Sequence, residues 1–272
     1  RVINLNAFEM KLLFTLFYLF IFLIGHAQNN IETKFTPPVG FERIYNDGYS
    51  KFLRQQPLKQ KNIVKYHNGQ VRFNEANDIF AAVFDYDIGP LDLHQCADAA
   101  IYLRAKYNYM FSFLDKLSYT FTSGSITTYK DYLAGATYRA VNNGADIEKV
   151  YNNPRQDSFK TFRRWLDLVW NYAGTWSVEN YDTDLVDIQD IRPGDIFIQG
   201  GFPGHAVTVV DVAVNANNEK VYMLAQSFMP AQEQHILLNP KNNTVWYELD
   251  NSKIINTPEF TFESDQLKRF KN

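Results

Sequence analysis

The sequence has 272 residues, with 27 basic and 30 acidic side chains for a net charge of −3, and a single cysteine. A hydrophobic share of 46% beside 21% charged residues excludes a disordered chain, and the near-balanced charge leaves no electrostatic footprint for nucleic acid. One thiol, Cys96, excludes an intramolecular disulfide framework and any multi-thiolate metal cluster.

The first predicted element is an export signal. The uncharged run Leu12–Ile24 follows Met10 and Lys11. It falls short of the ~20 residues that span a bilayer and suits the ~7–15-residue core of a signal peptide. Gly25-His26-Ala27 supplies small residues around a cleavage point. Residues 1–27 are therefore read as a signal peptide with an upstream extension before Met10, and 28–272 as one domain. A membrane-anchoring helix is the other reading of the run. Export implies a periplasmic or secreted protein, free of the membrane after cleavage.

Asn46-Asp47 offers a cap for a helix carrying Tyr49, Phe52 and Leu53 on one face. Ile63–Phe73 reads as a hairpin about Asn68-Gly69, with His67 solvated at the turn. Ile79–Ile88 reads as a strand ended by Gly89-Pro90. Asp92–Leu114 reads as a long helix with Asp92 as its cap, and Ser158–Ala173 as a second with Gly174 past its end. Between them residues 117–157 are mixed and turn-rich. The C-terminal part turns to strands: Asp195–Gly200, His205–Val214, Lys220–Phe228, His235–Leu238 and Thr244–Leu249. Helices followed by an antiparallel sheet give an α+β fold in one domain. The 16% aromatic share reads as packing, or as a stacking surface for peptide or carbohydrate.

Phosphate-cradling, dinucleotide and metalloprotease motifs are absent from the sequence, so no cofactor is expected. Chemistry then rests on Cys96 and the histidines. Cys96 falls in the first turn of its predicted helix, where the dipole and free N–H groups lower a thiol pKa. A buried, inert cysteine is the plainer reading. His205 opens a strand after the loop Gly200-Gly201-Phe202-Pro203-Gly204, placed to face a pocket. A hairpin centred between Ala216 and Asn217 pairs Val207 with Gln226, which puts Gln226 on the His205 face as an orienter. A one-residue slip presents Ser227 instead. Gln95, or a backbone N–H near Cys96, is a candidate oxyanion donor. Arg104 lies on nearly the same helical face as Cys96, to bind a substrate carboxylate or pair with an acid. His94, Cys96, Asp98 and His205 form an alternative zinc set with unusual spacing, and no metal is expected. His235 reads as a rim residue or as a strand-start histidine with a satisfied ring.

Cys96 on a helix, Pro193-Gly194-Asp195 before a strand, and His205 opening the next strand resemble NlpC/P60-like, papain-like cysteine peptidases and amidases. The resemblance implies N-terminal helices packed on a mainly antiparallel sheet. Ala97-Asp98 stand where those enzymes carry Ser-Gly, and the long Cys96–His205 separation implies a helical insertion around 117–190. More closely, Phe52–Leu58, Asp92–Tyr107, Tyr172–Val178, Pro193–Asp211, Leu224–Pro240 and Trp246–Leu249 resemble segments of the domain of unknown function 4846 family of secreted bacterial proteins. That likeness places Cys96, His205, Gln226 and Ser227 within recurring segments and implies no activity. The expected function is an exported thiol hydrolase, amidase- or peptidase-like, acting through a Cys96–His205 dyad on a peptide or cell-wall-derived ligand. The alternative is a non-catalytic peptide- or glycan-binding or scaffold protein with the same fold.

Overall fold

The computed structural model describes residues 29–142, 146–249 and 252–271. The signal-peptide reading lies outside the described residues. The elements that build the site are α1 (Gly48–Arg54), β1 (Phe80–Val83), α2 (Cys96–Met110) and α3 (Phe159–Tyr172). They are followed by β2 (Thr183–Leu185), β3 (Ile196–Gln199), β4 (His205–Asn215) and β5 (Lys220–Gln226). Last come β6 (His235–Leu237) and β7 (Leu267–Phe270). The fold is mixed helix and sheet. The strands form one sheet in the order β1-β6-β5-β4-β3-β7-β2, every neighbouring pair antiparallel. Among the described residues no helix is long and apolar enough to cross a membrane.

The two faces of the sheet bury different clusters. α2 carries Ala97, Ala99, Ala100, Ile101, Leu103 and Ala105, all buried, so its small side chains let it approach β4 closely. α3 covers the flank of α2 with Phe162, Trp165, Leu166, Val169 and Trp170, a spacing that puts them on one stripe. Ser158 caps α3 by accepting from the Thr161 N–H. On the opposite face Phe197, Val207, Val209, Tyr222 and Leu224 pack with Phe262, which the short hairpin Ile254–Asn256/Thr261–Glu263 brings in. Aromatic richness is therefore mainly core packing, as in the stacked Tyr109 and Phe162 rings 4.3 Å apart.

The β4–β5 register decides what faces His205. Near the turn Val214 pairs with Lys220 and Val212 with Tyr222. Past a bulge between Val209 and Asp211 the register shifts, and Val209 pairs with Leu224 and Thr208 with Ala225. The expected pairing thus holds at the site end, where Gln226 shares the His205 face, and is one residue off at the turn. Continued unbroken, the turn-end register would have offered Ser227. The bulge also sets Val210 and Asp211 on the helix side. There Asp211 meets Arg43 at 2.6 Å and Arg54 at 3.6 Å, all three largely buried.

Several sequence expectations change. The Asp92 cap is displaced: α2 begins four residues later, and Asp92 instead accepts from the Ala231 N–H at 2.6 Å. The segment after α2 is not simply a helical insertion. It holds the hairpins Ser118–Thr120/Ile126–Thr128 and Ala136–Val141/Asp146–Tyr151 before α3. Thr244–Leu249 shortens to Tyr247–Glu248, which pairs beside β5. The Asn68-Gly69 hairpin forms, and the His67 ring reaches the Pro90 carbonyl at 2.9 Å.

Candidate active site

The Pro193-Gly194-Asp195 turn shows why the strand carrying the site begins where it does. Gly194 adopts φ +98°, and a Cβ there would lie 2.4 Å from the Tyr49 ring. Asp195 takes Nε and Nη2 of Arg269 at 2.6 and 2.8 Å, clamping β3 to β7. From that anchor β3 runs antiparallel to β4, pairing Gln199 with His205.

Cys96 is the first residue of α2, and Asp98 holds the turn before it by accepting from the Gln95 N–H at 3.0 Å. Cys96 and His205 line one cleft of about 240 Å³. Gln95, Asp98, Trp170, Phe202, Phe228 and Met229 share its walls. Among the described residues no hydrogen bond joins the thiol to the imidazole. The sulfur instead lies against the backbone N–H groups of Ala206, Ala97 and Cys96, three donors that favour a negative sulfur.

Those donors do not win. Burial, with the Asp98 carboxylate second, pushes the Cys96 thiol up to about 11. The expected helix-terminus thiolate is therefore corrected: at neutral pH the resting sulfur is a thiol, because desolvation exceeds the dipole. Burial also lowers His205 to about 4, the Gln226 hydrogen bond opposing and Arg72 assisting. The resting pair is neutral on both sides.

His205 is 1% exposed, its ring packed on Phe228, Phe260 and Phe262. Its Nε2 lies 2.8 Å from Gln226 Oε1. Gln226 Nε2 in turn donates to Glu259 Oε2 at 2.7 Å, and Glu259 is ion-paired with Arg72. His235 closes the network: its Nε2 lies 3.4 Å from Gln226 Nε2, and its Nδ1 2.9 Å from the Glu233 carbonyl. It is a strand-start histidine with a satisfied ring. Glu259 was missed in the sequence, where it stands in a short loop with no motif around it.

Three expected site residues are not brought to this chemistry. Gln95 lines the cleft, but its amide donates to Asp92, at 3.1 Å to the carboxylate and 3.3 Å to the carbonyl, and is not free for an oxyanion. The first-turn N–H groups of Cys96 and Ala97 lie beside the sulfur instead. Arg104 stacks over Tyr49 at 4.8 Å and lines a separate pocket with Arg192 and Arg269, since eight residues carry it about 12 Å along the helix. Ser227 is fully buried and donates to the carbonyls of His94 and Gln232, a loop staple away from His205. The zinc alternative finds no set: among the described residues no group of three or more His, Cys, Asp or Glu could hold a metal. His94 is instead enclosed by Tyr86, Tyr102 and Trp170.

The match of a family model over residues 31–269 decides the relationship. The chain belongs to the domain of unknown function 4846 family. No curated protein and no solved structure matches it. The family's matched region includes Cys96, His205, Gln226 and Glu259, so the whole network lies inside it.

Proposed function

We propose that the cleft belongs to an exported thiol hydrolase that cleaves an amide bond, on a papain-like, NlpC/P60-like arrangement. The observation that carries this reading is the oriented imidazole: His205, held at Nε2 by Gln226, lines the same cleft as a cysteine that opens a helix. Cys96 is the nucleophile, His205 the general base and then the acid, and Gln226 the orienter. His205 Nδ1 takes the Cys96 proton as sulfur bonds to the substrate carbonyl carbon. The carbonyl oxygen, now an oxyanion, turns to first-turn N–H groups. His205 then returns the proton to the leaving nitrogen as the C–N bond breaks, and water hydrolyses the thioester. Because thiol and imidazole rest neutral, proton transfer accompanies attack, with no ion pair formed beforehand. The apolar rim, with Phe202 96% exposed, suits a peptide with an aromatic or aliphatic side chain, such as one from the cell wall.

The high Cys96 value and the same apolar rim favour a second reading, a non-catalytic peptide- or glycan-binding protein. An activated ester separates the two. p-Nitrophenyl acetate is expected to acetylate Cys96, followed by intact mass, and His205→Ala to slow this by about 100-fold or more. Equal acetylation rates in the two proteins would sink the hydrolase and leave the binding reading.

A further inference from the structure

The proton positions around Gln226 are fixed at both ends by groups that can only accept. A carboxylate paired with arginine accepts, so Glu259 requires the Gln226 NH₂ on its side. A carbonyl accepts, so Glu233 requires the His235 proton on Nδ1. That leaves the His235 Nε2 lone pair facing the same Gln226 NH₂. Both contacts agree on one amide orientation, and the 2.7 Å bond to Glu259, against 3.4 Å to His235, is the one that holds it. Gln226 Oε1 then faces His205, and His205 must carry its proton on Nε2.

We infer that Glu259 is a positioning residue: by holding the Gln226 amide in one orientation it fixes the Nε2–H tautomer of His205 and leaves Nδ1 bare as the base. The role deepens the hydrolase reading and rests on it for its purpose, although the tautomer itself does not. A neutral amide alone could turn over and present either end to the ring. Glu259 removes that freedom from a separate hairpin, where it is ion-paired with Arg72 on the strand Val71–Phe73. Two peripheral hairpins thus close over the back of the orienter.

The test uses the full chain labelled with ¹⁵N-histidine and long-range ¹H–¹⁵N correlation spectra at pH 8, with His205 assigned from His205→Ala. Wild type is expected to show His205 as Nε2–H alone. Glu259→Gln is expected to add a second set of His205 signals from the Nδ1–H form, because its amide can donate as well as accept. Arg72→Met breaks the same ion pair but keeps the carboxylate, and is expected to leave the single tautomer. An Nδ1–H form in wild type, or equal changes in both variants, overturns the assignment, the latter because it would mark a packing role only. Cys96 acetylation in the same samples keeps the two ideas apart. A single Nε2–H tautomer lost only in Glu259→Gln, with no acetylation, would retain the positioning and refute the hydrolase.

Discussion

His94 offers the sharpest test of the energetics. It is fully buried, both ring nitrogens lack a hydrogen-bond partner, and burial with the nearby Arg163 charge lowers it to about 3. Released on unfolding, an imidazole titrates near 6.5. Below that value the unfolded chain takes a proton that the folded chain refuses, so stability is full above 6.5 and falls as pH drops toward 3. At about 1.4 kcal/mol per pH unit, His94 costs the fold about 2 kcal/mol at pH 5 and nothing at pH 8. His94→Phe removes the titration while keeping a ring against Tyr86, Tyr102 and Trp170. Urea unfolding at pH 8 and 5 should then show the variant losing about 2 kcal/mol less than wild type across the step. Carboxylates that titrate oppositely, such as Asp182 raised to about 6, are shared by both proteins and cancel. Equal losses in the two proteins would refute the dry, neutral imidazole.

Asp98→Asn keeps an acceptor for the Gln95 N–H but removes the second cause of the high thiol value, so the pH midpoint of Cys96 alkylation by iodoacetamide should fall below about 11. An unmoved midpoint would discard Asp98 as a cause. His205 stays neutral down to about 4, so acetylation of Cys96 should hold from about pH 8 to 5 and decline only through about 4. A decline near 6.5 would show a solvated ring. Asp211→Asn removes the buried carboxylate shared by Arg43 and Arg54, leaving Arg54 the exposed Glu32 carboxylate at 3.9 Å, and should cost about 3–5 kcal/mol in urea unfolding; a loss under about 1 would show the ion pair idle. Trp165→Ala empties the fully buried centre of α3 and drops its 3.1 Å bond to Thr127, for an expected loss of about 3–5 kcal/mol by the same measurement.

Long elements with strong patterning were legible in the sequence. Val207, Val209 and Leu224 alternate as strand residues should, and Phe162, Leu166 and Val169 recur at helical spacing. The site end of the β4–β5 pairing was legible because a short turn limits the registers, although the bulge that delivers it was not. β2, β7 and the hairpin bearing Glu259 are three or four residues a strand, too short for periodicity to speak. Arg104 misled because helical spacing gives direction but not reach along the axis. The Cys96 thiol misled for a related reason: a helix terminus is visible in one segment, whereas burial depends on Trp170 of α3 and the loop before β4 arriving from elsewhere.

The bulge beside Asp211 has a meaning in chain length. β4 holds one residue more than β5 can partner, and that spare residue is spent between the interior ion pair and the cleft. Deleting Val210 would straighten the strand yet leave Gln226 facing His205 and Asp211 facing the arginines, at the cost of one packed side chain. Adding a residue there is not equivalent: without a second bulge it would hand the place of Gln226 to Ser227. The strand can therefore shorten by one without changing its partner to the imidazole, and cannot lengthen by one.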